Sequence, residues 1–127
     1  MITLREGPDV DTAALARLRA SCAFSPLSTE TIAAQLAGTR WIVHAYDGEQ
    51  LVGFARAISD GVTTAYVSGV MVAPAYQRTG VGRAMLGALR AGRDGVRFVL
   101  HTRTESRAFY RAIGFDDAAD MMVRDRR

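Results

Sequence analysis

The stretch VMVAPAYQRTGVGRAML, residues 70–86, constrains the fold more than any other part of this 127-residue chain. It runs from an apolar segment typical of a buried strand, through a basic turn, into an apolar segment with helical spacing. Pro74 lacks a backbone N–H and restricts the residue before it, so we expect the strand to end there. Gly80 and Gly82 allow backbone conformations and close approaches that side chains prevent. The sequence therefore predicts a strand, a tight turn and a helix in direct succession.

The turn has the properties of an anion-binding site. The first N–H groups of a helix lack partners within the helix and lie at the positive end of its dipole. Arg78 and Arg83 add formal charge at the same place, so we expect a pyrophosphate to bind here. All 16 basic residues are arginine, which excludes a P-loop, and Met85 stands where a dinucleotide fingerprint needs its third small residue.

The first forty residues read as a strand followed by two helices. Asp9 or Asp11 is expected to begin the first helix, and Ser28 or Thr29 the second. Gly38 is expected to end the second helix, because glycine is favoured just after the last helical residue. This order is compatible with an α/β fold.

Strand patterns dominate the middle of the chain. The dipeptide Asp47-Gly48 is a strong hairpin signal between two β-rich segments, and a third strand leads to Pro74. A further strand and a helix closed by Gly114 follow the central turn. Residues 115–125 are expected to supply one or two final strands around an acidic turn.

Length and composition exclude several classes of protein. The chain has room for one hydrophobic core, so we expect a single domain over residues 1–127. Cys22 is the only cysteine, which excludes an intramolecular disulfide and a cysteine-based zinc cluster, and we expect no metal site. The net charge is +3, but arginines and acids are interleaved, so we expect no nucleic-acid partner. No apolar run approaches the roughly 20 residues of a membrane span and no signal-peptide pattern is present, which favours a cytoplasmic protein without a membrane partner.

The segment VAPAYQRTGVG resembles the acetyl-CoA signature of the GCN5-related N-acetyltransferase (GNAT) family: Gln or Arg, two residues, Gly, any residue, then Gly or Ala. Gln77, Gly80 and Gly82 fill this pattern. FYRAIGF at residues 109–115 resembles the family's second motif, and LVGFARAISDG resembles its third strand and the following turn. The resemblance covers most of residues 41–115.

This resemblance implies an α/β fold of α+β type: a mixed, mostly antiparallel sheet of about six or seven strands, flanked by about four helices, with strands 4 and 5 splayed apart. Exposed backbone of the fourth strand would bind the pantetheine arm of acetyl-CoA, and the turn would bind its pyrophosphate. The residues expected to contact this co-substrate are Met71, Val72, Gln77, Arg78, Thr79, Gly80, Val81, Gly82 and Arg83.

The resemblance also implies direct attack of a primary amine on the acetyl-CoA thioester. Tyr110 matches a tyrosine near the CoA sulfur and is the expected acid for the departing thiolate, although an aromatic packed in the core is the alternative. A base is desirable because an alkylamine is neutral in only about 1 molecule in 10³ at pH 7. Gly69 stands where many members have a carboxylate. Tyr66 and Ser68 could hold a water, His44 could act as the base, or the amine could have a low pKa.

The acceptor stays open among a small-molecule amine, a peptide N-terminus and a protein lysine. We expect its recognition by the loop SCAFSPLST, residues 21–29, and by the acidic turn of Asp116, Asp117 and Asp120. Two other functions are also weighed: a non-catalytic acyl-CoA sensor, and a nucleic-acid-binding domain that the interleaved charges disfavour. Family members often dimerise, so a homodimer is a further prediction.

Overall fold

The computed structural model describes residues 1–126. Its strands and helices follow in the order β1 (Ile2–Glu6), α1 (Thr12–Ser21), α2 (Thr29–Ala37), β2 (Trp41–Asp47), β3 (Gln50–Ser59), β4 (Thr64–Val72), α3 (Val81–Arg90), β5 (Arg97–Leu100) and α4 (Arg107–Ala112). Short 3-10 turns at Pro74–Tyr76 and Thr104–Ser106 precede α3 and α4. Element types and order agree with the sequence expectation as far as Gly114.

The sheet has the order β1-β2-β3-β4-β5. The first three pairs are antiparallel, and β4 and β5 are parallel. This confirms the mixed, mostly antiparallel α/β class with four helices. The strand count of six or seven was too high, because no strand forms within residues 115–126. That segment lacks the alternation of apolar and polar residues that gives a strand one buried face, and its Met121, Met122 and Val123 are exposed.

The splay between strands 4 and 5 comes from their unequal lengths. Thr64–Val67 of β4 pair with Arg97–Leu100, the whole of β5. Beyond that point β4 continues through residues 68–72 with β3 on one side and no strand on the other. In an extended strand, alternate backbone groups point away from a given neighbour. The second half of β4 therefore presents unpaired backbone groups toward the gap beside β5.

A bulge in β4 lies at the start of this gap. Three residue steps from Ser68 to Met71 oppose only two steps from Arg56 to Phe54 on β3. Gly69 supplies the extra residue and has φ +70°, a conformation that costs other residues about 1–2 kcal/mol. The glycine that replaces the family's usual carboxylate is therefore also the residue that this backbone requires.

The helix caps match the sequence predictions. Of the alternatives, the structure selects Asp11, whose Oδ1 accepts from the N–H of Ala13 at 2.9 Å, and Ser28, which accepts from that of Thr31 at 3.1 Å. Gly38 ends α2 as expected. The hairpin between β2 and β3 is also present, but its two-residue loop is Gly48-Glu49, one position later than predicted.

Helices cover both faces of the sheet. The buried residues that pack α3 on one face include Val43, Ala45, Ala55, Met85, Leu86 and Leu89. Those that join α1 and α2 to the other face include Leu15, Leu18, Ile32, Ile42, Phe54 and Met71. Two layers of helix thus fix β4 and its bulge from both sides.

Candidate active site

The turn from β4 to α3 is fastened at two points. The hydroxyl of Tyr76 donates to Oδ2 of Asp47 at 2.5 Å, which ties the 3-10 turn to the end of β2. The hydroxyl of Thr79 donates to the carbonyl of Tyr76. The segment that leads into the glycine turn is therefore held against the sheet.

The backbone at this turn forms a concave row of N–H groups. Arg78 has φ +64° and Gly80, the N-cap of α3, has φ +92°. Left-handed residues alternating with ordinary ones aim successive N–H groups at one point, an arrangement that binds anions. No side chain caps α3, and a Cβ at Gly80 would meet nothing within 4 Å. The first-turn donors are thus free to bind an external anion.

Gln77 plays a different part from that expected. Its backbone N–H donates to the carbonyl of Pro74 at 3.3 Å, and its side chain Nε2 donates to the carbonyl of Val72 at 3.0 Å. The thiol of Cys22 donates to the same carbonyl at 3.3 Å. Gln77 therefore ties the turn to the end of β4, and Cys22 joins the α1 side to the same point. The convergence joins residues 50 positions apart in the chain, so no local pattern predicts it.

The two strand residues of the predicted site differ in exposure. Met71 is 3% exposed and its side chain lies in the core. Val72 is half-buried and pairs with Gly53 of β3. The side chain of Met71 lies in the core, and that of Val72 packs against the cluster that includes residues of α3.

Val81 and Gly82 of the predicted site are buried, whereas Arg78, Thr79 and Arg83 are exposed at the turn. A Cβ on Gly82 would lie 3.1 Å from Cζ of Phe109. The second glycine of the signature thus has a packing role that sequence reasoning missed.

A family model for the acetyltransferase (GNAT) domain matches residues 38–117 of this chain. The chain belongs to the GNAT family. It therefore contains an acyltransferase domain, and the enzymes of this family use acetyl-CoA as the acyl donor. The uncapped α3 turn fits such a donor because it offers N–H groups to a pyrophosphate, and residues 68–72 of β4 fit it because no strand pairs with their β5 side.

Relatives and solved structures agree with this assignment. The chain is 38% identical over 71 residues to "GCN5-related N-acetyltransferase 3, chloroplastic" of Arabidopsis thaliana, a match of 54% of this chain and 30% of that protein. This chain thus spans less than a third of that relative's length. A GNAT-family acetyltransferase from Streptococcus pneumoniae TIGR4 has a TM-score of 0.84 and 25% identity over the whole of both chains. An aminoglycoside N-acetyltransferase solved with CoA shares the fold, with a TM-score of 0.77 and 16% identity over 100% of this chain and 95% of that chain.

Tyr110 of this GNAT domain lies on α4, half-buried between two aromatic neighbours. Its ring is edge-on to Phe109, with centroids 5.0 Å apart, and to Phe115, with centroids 5.7 Å apart. Burial raises the pKa of the Tyr110 phenol, so the hydroxyl stays protonated across the neutral range. Within residues 1–126 this hydroxyl makes no hydrogen bond. Phe109 connects Tyr110 to Gly82 at the start of α3.

His44 does not lie at the gap in the sheet. It is 1% exposed on β2, between β1 and β3. Nδ1 is 2.8 Å from the hydroxyl of Tyr46, and Nε2 is 3.2 Å from the carbonyl of Gly7. A carbonyl can only accept, so Nε2 carries the proton and Nδ1 accepts from Tyr46. The ring is fully engaged in the fold.

In the acidic turn, the carboxylate of Asp117 is paired with two neighbouring arginines. Asp117 accepts from Nη1 of Arg107 at 2.7 Å and from Nη2 of Arg111 at 2.7 Å. These hydrogen bonds, that from Arg111 first, hold the pKa of the Asp117 carboxyl below its usual range. The carboxylate of Asp117 thus stabilises the region after α4, where its charge is already compensated.

A broad cleft of about 870 Å³ lies along β5, the second half of α3 and the segment after α4. Tyr66 and Tyr110 line it, but no residue of the 71–83 segment does. The cleft therefore lies at the opposite end of α3 from the glycine turn. None of the helices in residues 1–126 is long and apolar enough to cross a membrane.

Proposed function

We propose that this chain works as a single N-acetyltransferase domain, transferring an acetyl group from acetyl-CoA to a primary amine. One observation carries the proposal: the half of β4 that has no strand on its β5 side leads, through the turn of residues 73–80, into an α3 N-terminus that no side chain caps. Such a succession offers a thioester arm and a pyrophosphate adjacent sites on one continuous backbone. The GNAT family membership supports the same conclusion.

The residues of the turn would hold the pyrophosphate. Backbone N–H groups from Arg78 to Gly82 supply donors, and the guanidinium groups of Arg78 and Arg83 supply charge. Backbone of Met71 and the N–H of Val72 would bind the pantetheine arm beside the bulge, because the carbonyl of Val72 already accepts from Gln77 and Cys22. When bound there, acetyl-CoA supplies an acetyl group activated as a thioester.

Tyr110 is the residue we propose as the acid. The raised pKa keeps its proton in place at neutral pH, and its hydroxyl makes no hydrogen bond within the described residues. Such a hydroxyl can donate to the sulfur as the carbon–sulfur bond breaks.

Neither Gly69 nor His44 supplies a general base. Gly69 has no side chain, and His44 is buried with both ring nitrogens engaged. The amine would therefore lose its proton to water, held for example near Ser68, or would be one with a low pKa. The same observation favours a second candidate function, a sensor that binds an acyl-CoA without turning it over.

Two measurements on the pure protein decide between these functions. The first is calorimetric titration with acetyl-CoA, with NAD and ATP as controls, and the second is CoA thiol release across a panel of amines. Selective acetyl-CoA binding with thiol release supports the enzyme. Binding without release supports the sensor, and absence of acetyl-CoA binding overturns both. The cytoplasmic location and the homodimer remain predictions.

A further inference from the structure

Arg56 occupies a central place at the β4 bulge. It lies on β3 opposite Ser68, and a Cβ placed on Gly69 would be 3.7 Å from its Nε. Nη1 of Arg56 donates to Oγ1 of Thr39 at 3.1 Å. The side chain is half-buried on the face of the sheet that α1 and α2 cover. Its guanidinium group therefore lies beside the point where β4 leaves β5.

A second arginine lies on the neighbouring helix. Arg19 of α1 donates from Nε and Nη2 to the carbonyl of Ser25, at 3.2 and 2.7 Å. Its guanidinium carbon is 5.5 Å from the centre of the Phe24 ring, and that of Arg103 is 5.7 Å from the same ring. Phe24, in the loop of residues 21–29 that the sequence indicated as acceptor-binding, thus lies near the guanidinium groups of both Arg19 and Arg103.

These charges have no acidic partner. Within residues 1–126 no carboxylate lies within 4 Å of Arg19, Arg56 or Arg103. Burial lowers the pKa of Arg56 and of Arg19, and for Arg56 the charge of Arg19 contributes in the same direction. A partly buried cation is costly unless an anion compensates it. The cluster therefore favours binding of a negatively charged group.

We propose that the acceptor amine carries an oxyanion, a carboxylate or a phosphate, which Arg56 binds with the support of Arg19. The guanidinium fork matches the oxygens of both groups. This inference rests on the proposed acetyltransferase function and names its substrate class. It also assigns acceptor recognition to arginines and not to Asp117 of the acidic turn, whose charge is already paired with Arg107 and Arg111.

The test compares matched pairs of amines in the intact protein. The probes are alanine against alaninamide for the carboxylate, and O-phosphoethanolamine against ethanolamine for the phosphate. Each pair is assayed with the wild type, with Arg56→Gln and with the control Arg17→Gln, an exposed arginine of α1. Each amine is compared between wild type and variant, and the resulting ratios are then compared within a pair. The intrinsic reactivity of each amine cancels in these ratios.

We expect Arg56→Gln to lower kcat/KM for the anionic member of one pair by about tenfold or more, as loss of a charge-assisted hydrogen bond does. Activity of Arg56→Gln on the neutral member should fall much less than on the anionic member, and Arg17→Gln should behave like the wild type on both. The pair that responds distinguishes carboxylate from phosphate. Arg56→Lys should restore only part of the activity, since it keeps the charge and loses the fork. If Arg56→Gln fails to fold, Arg19→Gln serves as the second variant.

A binding readout separates this inference from the activity itself. N-acetylalanine and N-acetylalaninamide are titrated calorimetrically in the presence of CoA, as are N-acetylated O-phosphoethanolamine and N-acetylethanolamine. Binding of an anionic compound that Arg56→Gln abolishes supports the inference even without turnover. Turnover of neutral or cationic amines only would overturn the inference that the acceptor carries an oxyanion, while the proposed function stands. Equal binding of the anionic and the neutral compound in both pairs would overturn it in the same way. Failure of acetyl-CoA itself to bind overturns both.

Discussion

The ring of Phe109 closes against Gly82: a Cβ on Gly82 would lie 3.1 Å from Cζ of Phe109 and 3.6 Å from Cγ2 of Val72. This contact joins three elements, since Gly82 begins α3, Phe109 lies on α4 and Val72 ends β4. The bare Cα at position 82 therefore sets how closely α4, with Tyr110, approaches the proposed acyl site. Even a Cβ at this position would press on the Phe109 ring, so a larger side chain must displace it.

Gly82→Leu should damage both stability and acetyl-CoA binding. The added side chain must displace Phe109 and Val72, and overpacking of this kind costs about 1–3 kcal/mol. We expect a lower Tm in thermal denaturation and a weaker acetyl-CoA titration. Phe109→Ala in the same chain should recover part of the Tm, because it removes the ring that the leucine displaces. An unchanged Tm for Gly82→Leu alone would contradict the packing role.

Gly80→Ala tests the conformation of the turn without disturbing the packing of the core. Its Cβ meets no atom within 4 Å, so the substitution acts through φ +92° alone, at a cost of about 1–2 kcal/mol if the conformation is kept. Relief of that strain would rotate the N–H groups of the turn, so acetyl-CoA affinity should fall with little change in the far-UV circular dichroism spectrum.

The matched control is Gly87→Ala, in the middle of α3. Position 87 also has open space around it and is helical, so alanine there should stabilise the protein by about 0.5–1 kcal/mol. Its acetyl-CoA affinity should equal that of the wild type. Equal affinity in Gly80→Ala as well would show that the turn does not bind the pyrophosphate.

Local signals were enough to predict much of this fold. Asp11, Ser28 and Gly38 act at helix ends through neighbours within a few residues, which is why the sequence revealed them. The succession of strand, turn and helix through Pro74 could be predicted for the same reason, because its signals also lie within a few residues of one another. The resemblance to the GNAT family added a mixed sheet that opens between strands 4 and 5, which periodicity alone could not have supplied; that β4 and β5 pair in parallel is seen in the structure.

Contacts between distant segments escaped prediction. Arg19 and Arg56 are brought together by packing of α1 on β3, and nothing in their spacing along the chain signals it. The role of Gly69 was visible only as a missing carboxylate, because a bulge depends on the register of two strands. The prediction of one or two strands within residues 115–125 was wrong for a related reason. Apolar residues such as Met122 form a strand only where they can pair with the edge of a sheet, and pairing depends on distant parts of the chain.

Tyr110→Phe tests the proposed acid. The hydroxyl makes no hydrogen bond within residues 1–126, so its removal should leave Tm and acetyl-CoA affinity unchanged. Loss of a positioned proton donor lowers kcat by about 10²-fold or more. Steady-state kinetics on any amine that gives thiol release would check this. A wild-type kcat in the variant would assign Tyr110 to packing with Phe109 and Phe115.

The pH dependence of stability should show the titration of His44, a buried imidazole whose pKa is lowered in the native state. Burial is the main cause that lowers its pKa, and Arg5 acts in the same direction, while the Gly7 carbonyl and Asp9 act against it. Below about pH 6.5 the unfolded chain therefore binds a proton that the native chain excludes. The contribution of His44 to the free energy of unfolding is complete above that pH and is lost as the pH falls toward its lowered pKa.

Denaturant unfolding at a series of pH values from 7.5 to 5 measures this effect. This range lies above about pH 4, where most carboxyl groups titrate. The wild type should lose stability as the pH falls through this range. His44→Gln should be less stable at pH 7.5, since it loses the hydrogen bonds to Tyr46 and Gly7, and its stability should depend less on pH. His101→Gln, an exposed control at the end of β5, should follow the wild-type profile. Equal slopes for wild type and His44→Gln would mean that His44 is not the group that titrates.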